Sequence, residues 1–195
     1  LRELGDFCAR LYPHFDLAGY GSRLDRAGIS LKQRAGSLSR GQKAQAALAL
    51  ALAPQPELLV LDDPTLGLDA VSRRAFFESL VVDLADRGVS VLLTTHDLAG
   101  AEGIADRVGI LHRGQLLCDE ALETLKGRLR RIRWSESAPD LGGMDVLRSS
   151  TDAFGGEALV GNWPEGRPAA DLRIEALSLE DAFIALTDEG LEVRV

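Results

Sequence analysis

Residues 58–63 read Leu-Leu-Val-Leu-Asp-Asp and run directly into Pro64. A short continuous apolar run closed by acids and a proline is the pattern of a strand buried on both faces, as in a parallel sheet. Parallel neighbours need a crossover, usually a helix. The sequence supplies one over residues 72–86, with Phe76, Phe77, Leu80, Val81 and Leu84 inward and Gly88 as its stop. Residues 89–95 then form a second apolar strand. A short helix from Asp97, a third strand over 108–111, a turn at Arg113–Gly114 and a stretch over 115–118 continue the alternation. The expected class is α/β with a largely parallel sheet.

The flanks differ in character. Residues 1–53 read as helical: an amphipathic stripe of Leu1, Leu4, Phe7, Cys8 and Leu11 ends before Pro13, and Asp16 caps a second helix that stops at Gly28. A loop with Lys32, Arg34 and Gly36 leads to Ser39 and an Ala/Leu-rich helix closed by Pro54. From about Arg128 the pattern becomes a basic alternating strand, a Gly/Ser/Asp-rich stretch, strands over 158–162 and 171–174, and a helix whose Ser178 and Asp181 make a capping box. Residues 1–128 are expected to be one domain and 129–195 a small α/β appendage. Arg128, Arg130, Arg131 and Arg133 read as a solvated strand face rather than a ligand site.

With 22 basic against 30 acidic residues the chain carries a net charge of -8, which argues against a nucleic-acid partner. Cys8 and Cys118 fit no metal or redox spacing and are expected to be reduced thiols. No apolar run approaches a membrane span.

Three segments can carry chemistry. Ser39, Arg40, Gly41 and Gln42 open the Ala-rich helix, where free N–H groups and the helix dipole favour an anion, and where Ser39 equally serves as an ordinary cap. Asp62 and Asp63 stand at the carboxyl end of a strand, where open parallel sheets bind ligands. Adjacent acids repel, so their presence calls for a reason: one suits Mg²⁺, the other an attacking water. His96 ends the next strand in Thr-Thr-His-Asp. Asp69, in Leu-Gly-Leu-Asp, can also cap the helix that follows.

The order and spacing of these segments over roughly residues 1–125 resemble the ATP-binding cassette (ABC) ATPases, whose fold is a P-loop NTPase-like parallel sheet with a helical subdomain. The resemblance implies roles residue by residue. Leu38 to Gln42 matches the signature, so Ser39, Arg40, Gly41 and Gln42 would contact ATP held by the opposite subunit. Leu58 to Asp62 matches the Walker B strand, with Asp62 toward Mg²⁺, and Asp63 stands where the catalytic glutamate is usual. Asp69 lies in the D-loop, and His96 matches the switch histidine. Implied with these are ATP and Mg²⁺ as cofactors, a second ABC ATPase subunit in a homo- or heterodimer, and an integral membrane permease on which the helical subdomain docks. The location implied is cytoplasmic, peripheral on the inner face of the cell membrane.

There are departures. Arg40 replaces the commoner glycine. Asp63 is one methylene shorter than glutamate, which predicts slower hydrolysis or reliance on His96. No Gly-Lys pair occurs anywhere, so the chain has no G-x-x-x-x-G-K-[ST] loop to cradle the α- and β-phosphates. Together with a first residue that is not Met, this leads to the expectation of an N-terminally truncated ABC domain: an ATPase when intact, inactive as this piece. The ending over 177–187 resembles exporter-type subunits. The alternatives are a non-transport ABC protein of translation or DNA repair, and a non-catalytic regulatory module.

Overall fold

In the computed structural model, the described residues are all except 86–87, 136–137, 153, 165–171 and 188–195. The chain divides into two compact units, residues 1–104 and 105–195.

The first unit begins with α1 (Arg2–Leu11) and α2 (Leu17–Arg26), the latter capped by Asp16, whose side chain accepts from the Gly19 N–H at 2.8 Å. Gly28 takes a left-handed φ of +67° just past α2, as its place after the helix requires. A single turn over Ala35–Ser37 leads to α3 (Arg40–Leu52). From Ala46 onward this helix is built of Ala and Leu alone, and it is covered on two sides. Ala46, Ala49 and Ala53 meet Tyr20, Leu24, Ile29 and Leu38, where small side chains let α2 approach closely. Leu48 and Leu52 face the other way, onto Leu59, Phe76, Phe77 and Leu80.

That second cluster belongs to a βαβ crossover: β1 (Leu58–Asp62), α4 (Ala70–Ala85) and β2 (Ser90–Thr94), with the strands parallel and Leu58 opposite Ser90, Asp62 opposite Thr94. The expected crossover helix is present; its predicted last residue, Asp86, lies outside the described residues. The expectation of strands buried on both faces is corrected. Leu59, Leu61, Val91 and Leu93 pack inward, whereas Leu58, Val60 and Leu92 are 57%, 60% and 58% exposed. Among the described residues, helices cover one side of the pair and leave the other open.

A short helix, α5 (Leu98–Glu102), capped by Asp97, closes the first unit. In the second unit β3 (Arg107–His112) and β4 (Gln115–Ala121) form an antiparallel hairpin. Arg113 and Gly114 both have positive φ, +49° and +78°, at its turn. That tight turn sends β3 into a hairpin, so among the described residues parallel pairing is confined to β1 and β2. After α6 (Leu122–Arg128), β5 (Arg130–Trp134), β6 (Asp145–Asp152), β7 (Gly155–Gly161) and β8 (Arg173–Ala176) make an antiparallel sheet in the order β6-β7-β5-β8. Leu179–Thr187 form α7, with the Ser178 hydroxyl accepting the Asp181 N–H at 3.1 Å. Strand β6 stands where a loop-like polar stretch is predicted, and Asp171, predicted to open the last strand, lies outside the described residues. The arginines of this unit are engaged: Arg128 with Glu120, Arg131 with Asp181, Arg133 with Glu157 and Glu175, and Arg130 with the carbonyl oxygens of Lys126 and Leu129. The expectation of one solvated strand face is corrected: Arg128 belongs to α6, and on β5 Arg131 and Arg133 share an ion-paired face from which Arg130 alternates away. Cys8 and Cys118 are free thiols, both buried, and burial pushes the Cys118 thiol above its ordinary pKa.

Candidate functional site

The parallel ladder ends at Asp62 and Thr94, and four polar side chains meet just beyond it. The Asp63 N–H donates to the Thr94 carbonyl at 2.8 Å and also faces the Thr94 hydroxyl at 3.1 Å. The same hydroxyl donates to Asp62 Oδ1 at 2.5 Å. Asp63 has a left-handed φ of +42°, a conformation that costs a non-glycine residue about 1 kcal/mol. The turn aims its Oδ2 at His96 Nδ1, 2.8 Å away, while its Oδ1 is buried without a hydrogen-bond partner. The backbone strain and the orphaned oxygen fall on one residue at the carboxyl end of a parallel pair, where α/β sheets place their chemistry.

His96 is well exposed and Asp63 is not: their side chains are 64% and 26% accessible. With Nδ1 committed to Asp63, Nε2 is the nitrogen left to face outward. Thr95 serves the next element instead, its hydroxyl accepting the Asp97 N–H at 2.9 Å. Asp97 accepts the Gly100 N–H at 3.3 Å and lies 3.8 Å from Arg73 of α4.

Among the described residues no group of three or more His, Cys, Asp or Glu side chains could hold a metal ion by itself. Asp62 offers hard carboxylate oxygen at an exposed strand end. This fits a cation such as Mg²⁺, which takes one or two protein carboxylates and completes its shell with phosphate oxygens and water.

The start of α3 forms a second cluster. Ser39 Oγ accepts the Gln42 N–H at 3.2 Å and Gln42 Oε1 accepts the Ser39 N–H at 3.1 Å, a reciprocal capping box. Of the first donors of the helix, this box satisfies two and leaves the Arg40 and Gly41 N–H groups without an intrahelical acceptor. Gly41 lies against the first turn of α4: a Cβ built on it would come within 2.5 Å of Ser72 Oγ and 2.9 Å of Ser72 Cβ. Arg40 extends over the loop before α4, its Nη1 3.4 Å from where a Cβ of Gly67 would stand. Asp69 caps α4, accepting the Ser72 N–H at 2.7 Å, and that bond holds its carboxyl below the ordinary range. A cleft of about 460 Å³ opens here, bordered by Ser39, Gly41, Gln42, Ser72 and Glu78.

The structure thus groups Asp62 and Asp63 with His96, and Ser39, Arg40, Gly41 and Gln42 with the segment around Gly67 and Asp69. The Thr-Thr-His-Asp strand end is legible in the sequence, whereas the contacts of Thr94 and Ser72 are not. A hydroxyl two residues before a strand-end histidine is a signal only when its register to the acidic strand is known.

The family described as "AAA domain, putative AbiEii toxin, Type IV TA system" matches residues 2–99. The chain is 34% identical over 132 residues to the ABC transporter ATP-binding protein YtrB of Bacillus subtilis (strain 168), covering 68% of this chain and 45% of that protein. A fluoroquinolones export ATP-binding protein of Mycobacterium tuberculosis (strain CDC 1551 / Oshkosh) is 32% identical over 157 residues, covering 80% and 52%. The chain therefore spans about half the length of these curated relatives. A solved structure described as the ATP binding subunit of an ABC transporter superposes with a TM-score of 0.52 at 29% identity, covering 65% of this chain and 54% of that one.

Proposed function

Because the chain belongs to the AAA-domain ATPases of the ABC type, we propose that it is the signature, Walker B and switch-histidine portion of an ATP-hydrolysing subunit that powers a separate membrane permease. The observation that carries this reading is the cluster of Asp62, Asp63, Thr94 and His96 at the end of the parallel pair. Bound Mg²⁺-ATP would supply the phosphoanhydride bond and the charge that polarises it. Asp62 is the carboxylate for the cation. Asp63 takes the place of the water-orienting acid, and the left-handed turn offsets its shorter side chain by aiming the carboxylate outward toward His96. His96 fixes that carboxylate through Nδ1 and presents Nε2 to a terminal phosphate. The Arg40 and Gly41 N–H groups, which the capping box leaves over, suit the phosphate of a nucleotide held by a second subunit.

The absence of a Gly-Lys pair means the α- and β-phosphates find no cradle in these residues. We read the chain as a piece of a longer subunit in which a P-loop lobe covers the bare face of Leu58, Val60 and Leu92. Residues 1–128 then belong to the ATPase domain and 129–195 to an accessory domain. The exposed apolar stripe of Leu4, Phe7 and Leu11 on α1, continued by Tyr12 and Leu17, suits a permease on the inner face of the membrane. None of the described helices is long and apolar enough to cross a membrane itself. Export is the favoured direction, in keeping with the exporter-like ending over 177–187 and the export protein among the relatives.

In the intact subunit, Asp63→Asn is expected to keep ATP binding and to lower turnover by about 10²–10⁴-fold. Unchanged turnover would remove Asp63 from the chemistry. The 195-residue chain alone is expected to show no ATPase activity, and measurable turnover by the purified chain refutes the need for a further lobe.

A further inference from the structure

We propose that Thr94 is a positioning residue of the acidic strand end, its hydroxyl tying Asp62 to the Asp63 amide and so setting where the two carboxylates point. The inference deepens the reading of Asp62 and Asp63 given above and rests on it for its functional meaning. Its geometry stands independently.

One oxygen does two things. Thr94 Oγ1 donates its proton to Asp62 Oδ1 at 2.5 Å and faces the Asp63 N–H at 3.1 Å. Asp62 and Thr94 are register partners at the last rung of the ladder, so the hydroxyl sits where the two strands release their chains. Two consequences follow from charge and sterics. Adjacent carboxylates repel, and a donor on Asp62 draws that carboxylate toward β2, away from Asp63. The left-handed Asp63 turn is disfavoured by its own Cβ, and a three-centre bond, in which the Asp63 N–H donates to both the Thr94 carbonyl and the Thr94 hydroxyl, holds that conformation. Valine would fill the same shape and remove only the hydroxyl. Thr95 is directed elsewhere: its side chain alternates to the other side of the strand end, where its hydroxyl accepts the Asp97 N–H at 2.9 Å.

The test uses the whole 195-residue chain and needs no nucleotide. Three-bond couplings from the Asp62 side-chain carboxyl carbon to its backbone nitrogen and carbonyl carbon report whether χ1 is fixed or averaged. Native chain and Thr94→Ser are expected to show one fixed rotamer, and Thr94→Val an averaged one, with Thr95→Val like the native chain. Should Thr94→Val fail to fold, Thr94→Ala carries the same expectation. Couplings unchanged in the hydroxyl-free variants overturn the proposal. So does averaging in Thr94→Ser, which would assign the effect to the methyl group. In the intact subunit, Thr94→Val is expected to lower kcat by about tenfold or more while leaving metal-free nucleotide affinity unchanged, with Thr94→Ser restoring kcat. An intact native subunit without ATPase activity would overturn the proposed function and leave the coupling result to decide the geometry.

Discussion

Gly41 has no room for a side chain. With Ser72 Cβ only 2.9 Å from where its own Cβ would stand, Gly41→Ala must push α3 away from α4 and is expected to cost about 1–3 kcal/mol in urea denaturation. Adding Ser72→Gly should recover most of that loss, which identifies the contact. Ser39→Ala removes half of the capping box and is expected to cost about 1 kcal/mol. The cap was legible, because Ser three residues before Gln ahead of an apolar run is a local signal. The acids were legible too, since a strand-terminal pair of aspartates is unusual enough to demand a use. What escaped the sequence was the bridge between them. Thr94 reaches Asp62 and Asp63 only through the register of two strands, and no local pattern encodes register. The left-handed Asp63 was equally hidden, because aspartate tolerates positive φ but most aspartates do not adopt it, and no local pattern says which of two adjacent ones will.

Helices α2 and α4 are locked by charge as well as by packing. Arg23 at 3.2 Å and Arg26 at 2.9 Å converge on Asp83, with Arg23 and Asp83 both buried. Asp83→Ala strands a buried guanidinium and is expected to cost about 3 kcal/mol by chemical denaturation, well beyond an exposed pair. The acid limb of stability has a marker in the second unit. Burial pushes the Asp181 carboxyl up, but bonds from Arg131 and Ser178 outweigh it and hold the group below its ordinary value of 3.8. A depressed pKa contributes stability that is complete above the unfolded value and disappears as pH falls through the folded one. Asp181→Asn is therefore expected to flatten the fall in melting temperature below about pH 4 measured by circular dichroism. At this scale the sequence located the α1, α2, α3, β1, α4 and β2 elements through caps and apolar runs. It missed β6, because Asp-Val-Leu-Arg-Ser-Ser-Thr-Asp at the sheet edge is almost wholly exposed and shows no buried alternation. It also expected both faces of β1 to be buried, because a run of apolar residues does not say how many layers cover it.

For the whole molecule that bare face has a measurable cost. Leu58, Val60 and Leu92 leave a contiguous apolar side on a two-stranded sheet, the kind of surface that drives association. Val60→Thr, which keeps β-branching, is expected to lower binding of a hydrophobic dye and slow aggregation while moving the melting temperature by less than about 2 °C. The class of fold was legible at this scale because strand, helix and strand alternate at crossover spacing, whereas the antiparallel fate of β3 depended on a two-residue turn. The parallel pairing also imposes an order in time. Helices α1 to α3 close through contacts between near neighbours in the chain, and such contacts form fast. Strand β1 must wait until α4 and β2 have been made before Leu58 can meet Ser90 and Asp62 can meet Thr94. On a ribosome that adds residues in order, the corner of Asp62, Asp63, Thr94 and His96 takes its shape only after helices α1 to α3 are complete, so the newborn chain carries the capped start of α3 before the two strand ends can meet.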